Sequence, residues 1–145
     1  MIQRIQSIYL LTASLLSGAF PVSLSLWVQI EKNSPVYALD LFSGKSVIET
    51  LIPSCFLISA LISILVIFLF KHRKLQLKLG RVIILINLFL LGLLIYLSLT
   101  LSGEAAVSKK GIGMLIPVFT ILLIILANRA IKKDEDLVKS VDRLR

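Results

Sequence analysis

The sequence predicts an all-α membrane protein: a four-helix transmembrane bundle with a candidate small extracytoplasmic β-hairpin between helices 1 and 2. Three observations carry that prediction. Hydrophobic residues make up 57% of the chain and charged residues only 17%, against about 25% charged in an ordinary soluble domain. The charges are segregated, leaving four long apolar runs that carry none. Between the runs the chemistry changes abruptly, to alternation, to turn residues or to a dense basic cluster. A soluble core cannot use so much apolar surface, whereas a bilayer can.

At 145 residues the chain makes one membrane domain, 1-145,. The first predicted span covers about residues 5–22. At ~1.5 Å per residue its apolar part, from Ile5 to Pro21, is roughly 25 Å long, short but workable. Ala13 with Ser17, and Ser14 with Gly18, are small residues four apart, a spacing that lets helices approach closely; ordinary span composition produces such pairs too. Arg4 followed by an apolar run and Ser17-Gly18-Ala19 also has the outline of a signal peptide. The thin basic flank and the three spans that follow argue against that reading.

Residues 23–46 form the first outer loop. Leu24, Leu26, Val28 and Ile30 alternate with polar residues, the period of a strand. Lys32-Asn33-Ser34-Pro35 is turn chemistry, and Val36–Phe42 reads as a second strand. Trp27 and Tyr37 suit the membrane interface. Leu24–Trp27 reads equally as a prolongation of helix 1.

Span two covers about 47–70. Ser46 and Glu49 have capping-box spacing, each side chain meeting the other's free backbone donor. Pro53 falls early in the helix, where a kink loses few hydrogen bonds. Cys55 is the only cysteine, so no internal disulfide or zinc pattern exists. Ser59 and Ser63, four apart, are expected to face another helix. Span three, about 82–102, carries Asn87, the most polar residue at depth, which should seek an interhelical hydrogen bond. Between these spans lies the basic segment 71–81, read as a loop. Glu104–Gly111 is read as a second outer loop. Span four covers about 112–131, with Pro117 either bending it or marking where regular bonding begins. The tail, 132–145, places Leu137, Val138, Val141 and Leu144 on one face and Glu135 four residues before Lys139. An amphipathic helical tail and a fraying end both fit it.

Four spans put both termini and the basic segment on one side. That side holds twelve of the Lys and Arg residues and the other holds four. The positive-inside rule then places the termini and the 71–81 segment in the cytoplasm. The same distribution accounts for the net charge of +8 without nucleic acid, because the cations flank apolar runs instead of forming a groove-sized patch with aromatics.

The spans contain no Asp, Glu, Lys, Arg or His beyond their ends, which counts against proton-coupled pumps and intramembrane hydrolases. No nucleotide-binding, HExxH or GxSxG pattern occurs. His72, the lone histidine, lies among cations with no carboxylate beside it in sequence. The expectation is therefore no enzyme, no cofactor and no metal ligand.

Three segments resemble a known family. Met1–Leu10 (MIQRIQSIYL), Arg73-Lys74-Leu75-Gln76, and Leu126–Ile131 (LANRAI) with the closing Ser140–Arg145 (SVDRLR) look like the family catalogued as domain of unknown function 4293. The resemblance spans the chain and implies a small four-helix inner-membrane protein of the Bacteroides–Flavobacterium group, with no established activity. Carried onto this sequence, its polar positions are Gln3, Arg4, Gln6, Arg73, Gln76, Asn128, Arg129, Asp134, Asp142 and Arg143. All fall on the side assigned to the cytoplasm, a candidate docking surface.

Two functions are compatible with this reading. One is a non-enzymatic scaffold or accessory subunit that binds membrane lipids around it and a protein partner at its cytoplasmic face. The other is a small transport or lipid-handling protein using a polar inter-helix cavity near Asn87, Ser59 and Ser63. A homo-oligomer is compatible with the sequence, but no feature supports it.

Overall fold

The computed structural model describes residues 3–29, 34–43, 46–70, 72–101 and 107–143. Helix α1 spans Gln3–Gly18, and a single further turn, α2 (Phe20–Ser23), continues it. Pro21 stands at the second position of that turn, where a missing N–H breaks no helical bond. Strands β1 (Trp27–Gln29) and β2 (Ser34–Val36) follow, then a 3-10 turn over Leu39–Ser43. The long helices α3 (Val47–Phe68) and α4 (Arg73–Leu101) come next, then strand β3 (Val107–Lys110), a 3-10 turn over Ile112–Leu115, and α5 (Ile116–Arg143).

Four segments are long and apolar enough to cross a membrane: Ile5–Ser23, Val47–Phe68, Arg73–Leu99 and Ile112–Ser140. They pack as a ring in which α1 and α4 each lie against both α3 and α5. Two apolar clusters fill it. One, at the sheet end, joins Leu26, Trp27 and Leu41 to Ile52, Phe56, Leu90, Leu94 and Ile116. The other, towards the basic end, joins Leu10, Ala13, Val66, Ile83, Ile124 and Ala127. Hydroxyls within the spans bond to carbonyls of their own helix, as Thr12 does to Ile8 at 2.9 Å and Thr120 to Ile116 at 2.9 Å. No lipid-facing polar group is created that way.

The predicted hairpin is present, but it is shorter and has a third strand. The sheet order is β2-β1-β3, all antiparallel, with Trp27 opposite Val36 on one side and opposite Lys110 on the other. The stretch Val36–Phe42, expected as a strand, pairs only at its start and then turns into the 3-10 segment, where Asp40 accepts the Tyr37 N–H at 3.0 Å. The expected outer loop Glu104–Gly111 supplies β3, whose pairing is non-local and leaves no period-two signature in four residues. Residues 104–106 of that loop lie outside the described residues, and so do Lys32 and Asn33 of the expected Lys32–Pro35 turn, whose Ser34 and Pro35 belong to β2. Trp27, expected at the interface, is 5% exposed and belongs to the core. Gly111 donates its N–H to Leu26 O at 2.8 Å, and a Cβ there would strike the Ser25 carbonyl. A glycine is what lets the second outer loop lie flat on the first.

At the other end the basic segment is not a loop. Helix α4 starts at Arg73, soon after α3 ends at Phe68, and His72 N–H donates to Leu69 O at 2.9 Å; Lys71 lies outside the described residues. Arg, Lys, Leu and Gln are all good helix formers, and a helix emerging from a bilayer loses nothing by being charged. The tail likewise continues as helix to Arg143. Pro117 marks the onset of regular α-helical bonding after the 3-10 turn.

Candidate functional site at the basic end

Polar side chains that are scattered in sequence meet where α1 begins, α3 ends, α4 begins and α5 leaves the apolar region. The last carbonyls of α3 have no helical donor, as at any helix C-terminus. Gln76, 4% exposed, donates Nε2 to Val66 O at 2.8 Å, so α4 caps the end of α3. Three residues earlier, Arg73 reaches α5: Nη1 donates to Asp134 O at 3.0 Å and Nη2 pairs with Asp134 Oδ2 at 3.3 Å. Both partners are largely enclosed, with side-chain exposures of 26% and 13%, so this pair is less screened than a surface bridge.

Asn128 completes the α4–α5 contact. Its amide fills the space over Gly80, and a Cβ at Gly80 would lie 2.7 Å from Asn128 Nδ2 and 2.8 Å from Cγ. Glu135 and Lys139 form a pair at 2.8 Å, and both line the hollow beside Arg73 and Lys74 at the start of α4. The Lys139 ammonium holds the Glu135 carboxyl below its ordinary range, mainly through that hydrogen bond,.

Gln6 is the exception in this set. It is 7% exposed, yet its Nε2 has no hydrogen-bond partner. It lines a cavity of about 610 Å³ together with Ser7, Ile8, Phe68, Arg73 and Gln76. A second hollow of about 380 Å³ lies between α4 and α5 and includes Arg81, Asn128, Arg129 and Lys132.

Of the ten polar positions expected to form a docking surface, six have described side chains. Gln6 and Gln76 are buried and so cannot be exposed contact residues. Arg73 and Asp134 spend their polarity on each other, Asn128 is packed on Gly80, and Arg129 is exposed. Gln3 and Arg4 stand in the first turns of α1 and Asp142 and Arg143 in the last turn of α5; their side chains lie outside the described residues. Sequence reasoning missed Gly80 and the Val66 carbonyl. A glycine among strong helix formers was the available signal for the first; nothing local announces the second.

The deep polar residues behave differently. Asn87 donates Nδ2 to Ser59 Oγ at 2.7 Å across α3 and α4, and to Ile83 O at 2.9 Å. Ser63 donates to Ser59 O at 2.8 Å, within its own helix, and is not an interhelical contact. All three are 0% exposed. Asn87 Oδ1 has no partner; the Ile83 carbonyl, which can only accept, fixes the amide nitrogen on the bonded side,. The cavities described above touch none of these residues. Among the described residues no three of His, Cys, Asp and Glu come together.

With this geometry in place, the comparisons add one finding. The family model described as Domain of unknown function (DUF4293) matches residues 2–144. No curated protein and no solved structure matches the chain.

Proposed function

Because the chain belongs to the DUF4293 family, to which no activity is assigned, we propose its role from its geometry: a non-enzymatic scaffold or accessory subunit of the bacterial inner membrane. Both termini lie in the cytoplasm, and a protein partner docks on that face. The observation that carries this reading is the projecting end of α5. The helix is pinned to α4 at Arg73–Asp134 and then runs on to Arg143. Past the pin it exposes Asp136, Leu137 and Val138, the last two 47% and 46% exposed, and just before the pin it exposes Lys132 and Lys133. An apolar patch on a braced helix that carries both signs of charge suits a partner that is apolar at its centre and mixed in charge at its rim,.

The braced base beneath it is what a scaffold needs. Gln76, Arg73 and Asn128 tie α3, α4 and α5 into one unit, so the stripe is presented at a fixed angle. The alternative, transport through a polar cavity at mid-depth, finds no support, since Asn87, Ser59 and Ser63 are fully enclosed.

A photo-crosslinking amino acid placed at Leu137 or Arg129 in living cells tests the docking. A discrete protein adduct is the expected result, and lipid adducts alone would remove the reading. The orientation has its own test, a C-terminal reporter active only outside the cytoplasm. It should stay silent.

A further inference from the structure

Gln6 lies one turn into α1, level with Ile67–Phe70 at the end of α3 and with Arg73–Gln76 at the start of α4, since all of them line one cavity. That level is where apolar sequence gives way to cations, which in a membrane protein is the headgroup region. The lining is mixed, with Ser7 among its polar residues. Gln6, Arg73 and Gln76 form a polar side, while Ile8, Ile67 and Phe68 form an apolar one. Ile8 and Phe68 are 58% and 72% exposed, so the apolar side opens towards lipid.

The polar side has more donors than acceptors. Gln76 has committed Nε2 to Val66 O, and Arg73 gives two donors to Asp134 out of the five a guanidinium carries. Gln6 Nε2 is enclosed and donates to nothing. Among the described residues no Asp or Glu lines the cavity. Buried polar groups are nearly always paired, so an enclosed amide donor beside a half-satisfied arginine marks a place for an acceptor that no described residue supplies to Gln6 Nε2. A phosphate supplies several acceptor oxygens and matches arginine geometry. The adjoining apolar wall requires that the phosphate carry hydrocarbon.

We propose that this cavity is a binding site for an anionic phospholipid, its phosphate held by the Arg73 donors that Asp134 does not use and by Gln6 Nε2 once that side chain turns out of its enclosed position, with the acyl chain laid over Ile8, Ile67 and Phe68. The site is separate from the docking stripe on α5 and stands or falls independently of it. A bound lipid would join α1 to the α3–α4 corner; the Gln76, Arg73 and Asn128 contacts tie α3 to α4 and α4 to α5, and none of them reaches α1.

The test uses the purified full chain in nanodiscs of phosphatidylcholine containing a minority of phosphatidylglycerol, with native mass spectrometry counting retained lipid. Phosphatidylglycerol should be retained in preference to phosphatidylcholine. Gln6→Leu, which keeps the side-chain volume and removes the donor, should weaken that retention about tenfold, the loss expected for one hydrogen bond to a charged group. Lys133→Gln, an exposed cation on α5 outside the cavity, should leave it unchanged. Equal retention of the two lipids, or retention unaffected by Gln6→Leu, overturns the proposal. Displacement by inorganic phosphate alone also overturns it, because the site would then be one for a free anion. A photoactivatable phosphatidylglycerol on the unmodified chain gives a second readout that does not depend on how a variant folds. Adducts should map to the peptides containing Ile8 and Phe68, and adducts confined to other surfaces count against the site.

Discussion

At mid-depth Asn87 is fully buried, bonded across two helices to Ser59, and touches no cavity described above. At the basic end Gln6 is almost as buried, but its Nε2 bonds to nothing and a cavity of about 610 Å³ lies against it. Both are amides in membrane-spanning helices, and the difference between them separates packing from recognition. Hydrocarbon offers an amide no partner, so a deep polar group persists only where a neighbouring helix answers it. At the headgroup level the answer can come from outside the chain.

The sharpest way to break this comparison is to disturb the frame that holds the basic end. Gly80→Ala should cost about 1–3 kcal/mol of stability, because the added methyl overpacks the Asn128 amide,. Thermal unfolding in detergent measures it, and Asn128→Ala in the same chain should recover much of the loss. Independence of the two substitutions would mean that Asn128 has another rotamer ready.

Asn87→Leu and Gln6→Leu make the comparison direct. Removing the Asn87 bond should cost roughly 0.6–1.7 kcal/mol, the range for interhelical hydrogen bonds in a bilayer. Gln6→Leu should cost nothing in lipid-free detergent, since it deletes an unsatisfied donor,. If Gln6→Leu were the more damaging of the two, Gln6 would be a packing residue and the distinction would fail.

Arg73→Gln and Asp134→Asn should each lower stability by about 1 kcal/mol, and the double variant by less than the sum,. Additive losses in a double-mutant cycle would show that the pair is not coupled.

The smallest effect concerns the tail. Glu135 has a depressed carboxyl pKa in the folded chain, held by Lys139. A depressed value means that its contribution is present above the ordinary carboxylate range and is lost as pH falls through the folded value. Helicity of the α5 tail, followed by circular dichroism, should therefore decline on acidification, and Glu135→Gln should remove that dependence without changing the spans.

Several misreadings share one cause. The segment 71–81 was expected as a loop because two hydrophobic stretches flank it, but the end of apolar sequence is not the end of a helix, and α4 begins at Arg73. The strand β3 was read as loop because its partner, β1, lies some eighty residues earlier, and four residues carry no pairing signal of their own. Trp27 was placed at the interface by residue type, whereas the three-stranded sheet and the 3-10 turn cover it. Gln6 and Gln76 were grouped with Arg129 because all are polar and at one end. Only Arg129 is exposed among these three.

What the sequence determined by itself is everything that depends on local composition: the presence of four segments long and apolar enough to cross a membrane, the absence of ionisable groups in their middles, and the charge difference between the two ends of the bundle. Transfer into hydrocarbon acts on each segment separately, so these features are written residue by residue. The tertiary structure alone decided which polar residues meet. Gln76 caps Val66, Arg73 reaches Asp134, Asn128 sits on Gly80, and Gln6 is left over. Those outcomes depend on how four helices are turned about their axes relative to one another, and rotation is set by packing, which no single segment encodes.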